Sequence, residues 1–207
     1  MKIRIYFIII LFIVPIISSY SQDLEDIVSE LQEELQLNED QAEQLSEALV
    51  KYSQEMNTEL AKHEDAEEPD TKAMIGDIKK AQDNYRNELS SILTDEQYDA
   101  YLNYVDKVMT EMFGDIAEIK LMDLQPVLDL SDEQITQLNP VLGEGMLGLV
   151  KTVFEYGDKK MNKRTQIKMG KKLKKIQSKT DSSVKEILTP EQYEKYQEYK
   201  EAKKEQK

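Results

Sequence analysis

The sequence predicts an all-α protein built from antiparallel helical hairpins. Apolar residues recur every three or four positions, signals for helix N-termini occur four times, and no segment alternates apolar and polar residues as a strand would. The composition agrees, because the 207 residues include only 7 glycines, 5 prolines and no tryptophan. Glutamate, glutamine, lysine and leucine, which are good helix formers, are abundant.

The four predicted helix starts share one pattern: leucine, then asparagine, threonine or serine, then two further residues and glutamine. The second side chain can cap free N–H groups of the first helical turn, and the glutamine can reach back to complete a capping box. The leucine can pack onto the first turn as a hydrophobic staple. These structural residues are Leu37, Asn38 and Gln41; Leu93, Thr94 and Gln97; Leu130, Ser131 and Gln134; and Leu188, Thr189 and Gln192.

The chain contains an internal duplication. The first motif and the leucines around it recur 93 residues later, and segment 92–104 recurs 95 residues later as 187–199. A division at Gly114 therefore predicts two tandem units, 22–114 and 115–207.

The apolar periodicity predicts three helices in each unit, preceded by a shorter amphipathic segment. In the first unit, Pro69 and Gly114 are expected to end the first and the third helix. The helices of the second unit are expected at about 132–156, 158–187 and 190–206, and the short segments at about 24–36 and 115–124.

Residues 1–21 are predicted to be a signal peptide. A basic start precedes the apolar run 5–17, which is shorter than the roughly 20 residues that span a membrane. Ser19 and Ser21 are small residues at the positions that a signal peptidase reads, so we expect cleavage before Gln22 and export. The alternative is an uncleaved N-terminal anchor. The absence of cysteine excludes disulfides, thiolate metal sites and a lipid-modified N-terminus.

The two predicted units differ in charge. Residues 22–114 hold 25 acidic and 7 basic residues, a net charge of −18, whereas residues 115–207 hold 16 acidic and 18 basic residues, a net charge of +2. Most bases of the second unit crowd the predicted helix 158–187. Its expected apolar seam is Met161, Ile167, Met169, Leu173, Ile176, Val184 and Ile187.

This basic helix has three interpretations. It could be a solvated face that also attracts the acidic first unit, a cationic methionine-bearing surface that captures acidic or unfolded chains, or a contact with an anionic membrane surface. Nucleic acid is not expected as a partner of an exported, net-acidic protein. The candidate partner-binding residues are Lys160, Lys163, Arg164, Lys168, Met169, Lys171, Lys172 and Lys175.

No catalytic residue, cofactor site or metal site is predicted. The segment Gly143–Gly148 matches a dinucleotide-binding pattern, but it lies in a predicted helix and follows no strand. His63, the one histidine, is expected in a solvated acidic loop, 63–70, and one histidine without cysteine gives no zinc or copper ligand set. A weak cation site in this loop is the alternative. Two rows of tyrosines are expected to pack mainly between helices, with some rings at the surface: Tyr98, Tyr101 and Tyr104, and Tyr193, Tyr196 and Tyr199. The alternative for them is a role in stacking on clients.

Four such motifs, arranged as two pairs in a predicted exported helical protein, resemble the Spy/CpxP family of periplasmic LTxxQ-motif proteins. The motifs at Thr94 and Thr189 match the pattern, whereas Asn38 and Ser131 depart from it. The resemblance implies bent helical hairpins that pair into a concave cradle, and roles in ATP-independent chaperoning or stress signalling, with a metal-binding branch. It also suggests that one chain packs two LTxxQ-type units as a pseudo-dimer.

We therefore expect a periplasmic or secreted binding protein that is not an enzyme and uses no cofactor. Its partners would be unfolded or acidic protein clients, or an envelope sensor protein. One alternative is a structural or regulatory envelope protein that binds a single defined partner. The other is a divalent-cation buffer centred on the acidic first unit.

Overall fold

The computed structural model describes residues 21–64, 70–156, 159–160 and 162–205. These residues form seven α-helices and no strand, so the predicted all-α class is confirmed. None of the described helices is long and apolar enough to cross a membrane. The helices are α1 (Ser21–Glu34), α2 (Glu39–Glu64), α3 (Thr71–Ile92), α4 (Asp95–Leu128), α5 (Asp132–Tyr156), α6 (Lys163–Ile187) and α7 (Pro190–Glu205).

Two predicted features fall largely outside the described residues. The predicted signal peptide lies outside them apart from Ser21, and so does Pro69, the expected end of the first long helix.

The chain divides into two compact units, with the boundary between residues 105 and 106. Each unit is built around its own helical hairpin. The predicted pseudo-dimer concerns the relation between the two units, and it stays a prediction.

The helix end predicted at Gly114 is wrong, because α4 continues through this glycine to Leu128. The predicted short segment 115–124 is therefore part of α4. A glycine in a helix interior costs roughly 1 kcal/mol relative to alanine. The neighbouring Phe113 and Ala117 are both buried, and burial of a phenylalanine side chain alone contributes about 1.5–3 kcal/mol. Tertiary packing thus outweighs the local signal.

The first unit is centred on an antiparallel pair formed by α2 and α3, with α1 packed on α2. The two helices bury a continuous apolar stripe, as the periodicity predicts. Contacts along the pair join residues whose numbers rise on α2 and fall on α3, namely Gln41 with Ile92, Tyr52 with Tyr85, and His63 with Asp77.

In the second unit, α5 and α6 form the corresponding pair. The second half of α4 also packs against α5, where a Cβ atom added to Gly143 would lie only 3.1 Å from the carbonyl oxygen of Phe113. Close approach of the two backbones therefore requires glycine at this position. The buried core of this unit comprises Leu121, Leu124, Leu128, Leu130, Leu138, Val184, Leu188 and Tyr196.

The two units share an unusual backbone turn. Gln36 and Asp129, which are 93 residues apart, are the described non-glycine residues with a positive φ, and both have a φ of 52°. Each follows a helix and directly precedes the leucine of a capping motif. In the first unit the N–H of Leu37 donates to the carbonyl oxygen of Gln32 (3.0 Å), which closes the helix end in the manner of a Schellman motif.

All four capping boxes contain both reciprocal hydrogen bonds. In each box the backbone N–H of the glutamine donates to the capping side chain, and the backbone N–H of the capping residue donates to the glutamine Oε1. The eight distances lie between 2.9 and 3.2 Å. The four motif leucines are buried beside them.

The two boxes of each unit are bonded to one another through their glutamines. In the first unit, Gln41 Nε2 donates to Gln97 Oε1 (2.8 Å) and to the carbonyl oxygen of Ile92 (2.9 Å). Gln97 Nε2 donates in turn to the carbonyl oxygen of Leu35 (3.3 Å). Each glutamine thus caps its own helix with Oε1 and holds the end of another helix with Nε2.

The second unit repeats this arrangement. Gln134 Nε2 donates to Gln192 Oε1 (2.7 Å) and to the carbonyl oxygen of Ile187 (3.2 Å). Gln192 Nε2 donates to the carbonyl oxygen of Leu128 (3.1 Å). We call each such arrangement a glutamine pair.

Three tyrosines pack together in the first unit. The rings of Tyr52 and Tyr85 are stacked with centroids 4.7 Å apart, and Tyr101 meets the edge of Tyr85 at 6.3 Å. Burial raises the pKa of Tyr52 to about 12 and also raises the pKa of Tyr85 and of Tyr101 above the usual phenol value. The second unit lacks this stack, although Tyr196 is buried there and Tyr193 and Tyr199 pack against the same core.

The glutamine pair predicts the effect of an isosteric substitution. Gln97→Glu keeps the acceptor for Thr94 but removes the Nε2 donor and places a carboxylate oxygen near the carbonyl oxygen of Leu35. We expect the free energy of unfolding at pH 7 to fall by about 1–3 kcal/mol, measured by urea denaturation followed by circular dichroism. The exposed Gln54 offers a matched control, since Gln54→Glu should change the free energy of unfolding by less than about 0.5 kcal/mol. Equal stabilities of the two variants would contradict this role.

The tyrosine stack predicts a loss of stability at high pH. Unfolded tyrosine ionises near pH 10, whereas Tyr52 resists ionisation until about pH 12. Its contribution is therefore complete below pH 10 and is lost as the pH rises from about 10 through 12. We expect Tyr52→Phe to flatten the plot of unfolding free energy against pH in this window. An unchanged slope in this variant would show that Tyr52 does not cause the loss.

Candidate functional site

The basic helix begins later than predicted. It starts at Lys163 and not at residue 158, because the side chain of Asn162 caps it by accepting a hydrogen bond from the N–H of Thr165 (3.0 Å). Lys160 consequently precedes the helix. The expected start at residue 158 and the expected seam residue Met161 lie outside the described residues.

The seam of α6 differs from the prediction at one position. Met169, Leu173, Ile176, Val184 and Ile187 are buried or half-buried, as predicted. Ile167 is 49 % exposed. It precedes Met169 by two residues, which corresponds to about 200° around a helix, so it cannot share the buried face.

The candidate partner-binding residues separate into two groups. The cations at 160, 163, 164, 168, 171, 172 and 175 are exposed, whereas Met169 is half-buried. The structure therefore brings the cations together on the surface and places the methionine on the seam. Ile167 is the exposed apolar side chain among these cations, and the sequence reasoning assigned it to the core. Counting helical positions from Met169 would have placed it correctly.

Four of these cations form a ridge along α6. Arg164, Lys168, Lys171 and Lys175 follow one another at intervals of four, three and four residues, so they lie on one face. The ridge is about 17 Å long at 1.5 Å per residue. Within the part of the chain that the structure describes, no carboxylate forms an ion pair with any of the four. We call these residues the basic ridge.

Lysines beside the basic ridge are paired with acids of α5. Lys172 bonds to Glu155, and this bond raises the pKa of Lys172 and lowers the pKa of Glu155. Lys179 lies 3.6 Å from Glu144. Both pairs are exposed, so they contribute little to stability. Their effect is to neutralise the flank next to α5 and to leave net positive charge on the ridge.

The glycines of the apparent dinucleotide pattern lie inside α5. Gly143 and Gly145 are buried, and a Cβ atom added to Gly145 would lie 2.5 Å from Thr180 Oγ1. They allow α5 to approach its neighbours closely. The phosphate-binding interpretation requires a loop between a strand and a helix, and this segment is helical throughout.

His63 lies on α2 and not in a solvated loop. Its Nε2 is 3.1 Å from Asp77 Oδ2 on α3, and its side chain is only 13 % exposed. The contact joins the two helices and accompanies the extension of α2 to Glu64, into the first two positions of the expected loop. Residues 65–69 of that tip lie outside the described residues. Among the residues that are described, no group of three histidine, aspartate or glutamate side chains could hold a metal ion.

Comparison with known protein families gives a match for the first unit. A family model for a domain of unknown function (DUF4890) matches residues 19–101, a segment that includes both capping motifs of the first unit. Searches of curated proteins and of solved structures gave no match. The chain is therefore similar to this domain family over its first unit.

Proposed function

We propose that this protein is an exported binding protein of the Spy/CpxP type. It acts without nucleotide as a chaperone or envelope-stress adaptor for unfolded or acidic polypeptides, and it catalyses no reaction. The observation that carries the proposal is the basic ridge, a row of four cations that form no ion pair with any described carboxylate, on a chain whose net charge is −14.

The ridge suits weak, rapidly exchanging contacts with many sequences. Exposed cations raise the rate of encounter with acidic chains. The aliphatic stems of lysine and arginine provide apolar surface beside their charges, and Ile167 adds an exposed apolar side chain between Arg164 and Lys168. A partly unfolded acidic segment could therefore meet both charge and apolar surface on one helix face.

The predicted export supports the same proposal. The apolar N-terminal segment predicts secretion, and a chaperone outside the cytoplasm would work without ATP. Burial of apolar residues and the glutamine pairs hold each capped hairpin together.

The basic ridge predicts the outcome of a charge-reversal experiment. Residues 22–207 should suppress the aggregation of reduced α-lactalbumin, an acidic client, and the variant R164E/K168E/K171E/K175E should suppress it several-fold less. Light scattering at equal protein concentrations measures the difference. Since screening shortens electrostatic attraction to a few ångströms near 0.5 M salt, added NaCl should weaken the wild-type effect.

A matched control separates the ridge from total charge. The variant K72E/K80E/K120E/K195E changes the net charge by the same amount at exposed positions outside the ridge, and it should retain the wild-type effect. Equal losses in both variants would overturn the role of the ridge. No suppression by the wild type with several clients, together with one stoichiometric partner in a pull-down, would instead indicate an envelope protein with a single defined partner.

A further inference from the structure

A groove of about 240 Å³ lies between α5 and α6 in the second unit. Its apolar walls include Val141 and Ile176, and Gly145 and Gly148, which carry no side chain, line the α5 side. The hydroxyl-bearing residues Thr180 and Ser183 and the loosely paired Glu144 and Lys179 supply its polar groups. We call this feature the α5–α6 groove.

In the first unit, the corresponding position between the two hairpin helices is filled by side chains. By the offsets of the duplication, 93 residues on α5 and 95 on α6, Gly145 corresponds to Tyr52 and Thr180 corresponds to Tyr85. The two tyrosine rings are buried and stacked at 4.7 Å. The second unit therefore lacks a pair of aromatic rings where the first unit has one.

The polar side chains that close the first unit also differ. There, Lys51 bonds to Glu88 (2.9 Å) and Asn84 bonds to Glu55 (3.4 Å), bridging the two helices beside the stack. The counterparts of Glu55 and Glu88 are Gly148 and Ser183, which are too short to bridge. One wider contact spans the groove, between Glu144 and Lys179 at 3.6 Å, and both side chains are largely exposed.

Only part of the vacated space is refilled. Thr180 lies against Gly145, where an added Cβ atom would be 2.5 Å from Oγ1. The space beside Gly148 is wider, since a Cβ atom there would meet Ile176 at an ordinary 3.4 Å. The groove is thus open over Gly148 and Ile176.

We propose that the α5–α6 groove binds an aromatic side chain of a partner polypeptide, with tyrosine as the favoured residue. A flat ring suits the space over Gly148 and Ile176, where no α5 side chain lies between the helices. Tyrosine has an apolar body with one polar end. Thr180, Ser183 and Lys179 offer hydrogen-bond partners to a phenolic hydroxyl. This site adds a specific contact to the binding function proposed above and rests on that function. Its test uses a small tyrosine amide, so that the groove and the chaperone function can each fail independently of the other.

The direct test is an NMR titration of ¹⁵N-labelled residues 22–207, which include every described residue except Ser21, with N-acetyl-L-tyrosinamide. We expect saturable shifts of the amides of Gly145, Gly148 and Ile176, with a dissociation constant on the order of 1 mM. N-acetyl-L-leucinamide should bind more weakly. Absence of saturable shifts at these amides, or equal binding of the two compounds, would overturn the site.

Variants that fill the groove sharpen the test. Gly148→Leu should abolish the shifts, because its Cβ fits the backbone and its side chain occupies the open space. The matched control is Gly170→Leu on α6, where an added Cβ meets nothing within 4 Å, and binding should be unchanged. G145Y/T180Y rebuilds the tyrosine pair of the first unit and should also remove binding while circular dichroism remains helical. Wild-type affinity in a folded Gly148→Leu variant would contradict the proposal.

Charge reversal on the basic ridge distinguishes the two sites. The variant R164E/K168E/K171E/K175E should bind N-acetyl-L-tyrosinamide as the wild type does, even where it no longer protects α-lactalbumin. A loss of amide binding in this folded variant would show that the groove does not recognise the ring on its own.

Discussion

The glutamine pair is the interaction on which each unit depends. A helix leaves unpaired N–H groups at its start and unpaired carbonyl groups at its end, and the paired glutamines satisfy both kinds at one place. In the first unit, Gln41 and Gln97 bond to each other and to the carbonyl oxygens of Leu35 and Ile92. Apolar packing alone would tolerate sliding along the hairpin, whereas half-buried amides with definite partners oppose it, because misaligned amides would lose their hydrogen bonds.

With the ends held in this way, the middle of each hairpin was free to diverge. The first unit closes its middle with stacked tyrosines and interhelical bridges, whereas the second unit has glycine and threonine there and retains an open groove. The two units also differ in charge, since the first unit is acidic and the second carries the basic ridge. The features proposed to bind partners lie away from the shared capping motifs.

The lysines of α6 differ in whether they form ion pairs, and the position of α5 decides which of them do. Lysines on the flank next to α5 reach its glutamates and form pairs, as Lys172 and Lys179 do. Those turned away from α5 form the ridge, and Ile167 is exposed among them because it lies opposite the seam. A count of lysines describes the helix as basic, but the partnering of each lysine depends on the neighbouring helix.

The sequence by itself determined the features that depend on residues within one helical turn. Helices α2, α4, α5 and α7 each begin one residue after a predicted cap, because capping and periodicity are local. Tertiary structure decided what depends on distant residues. It carried α4 through Gly114, joined the capping boxes in pairs and brought His63 to Asp77. It also opened the α5–α6 groove, for which the sequence held a signal in the replacement of Tyr52 and Tyr85 by Gly145 and Thr180. Only the packing of α5 against α6 shows that these two changes meet in space.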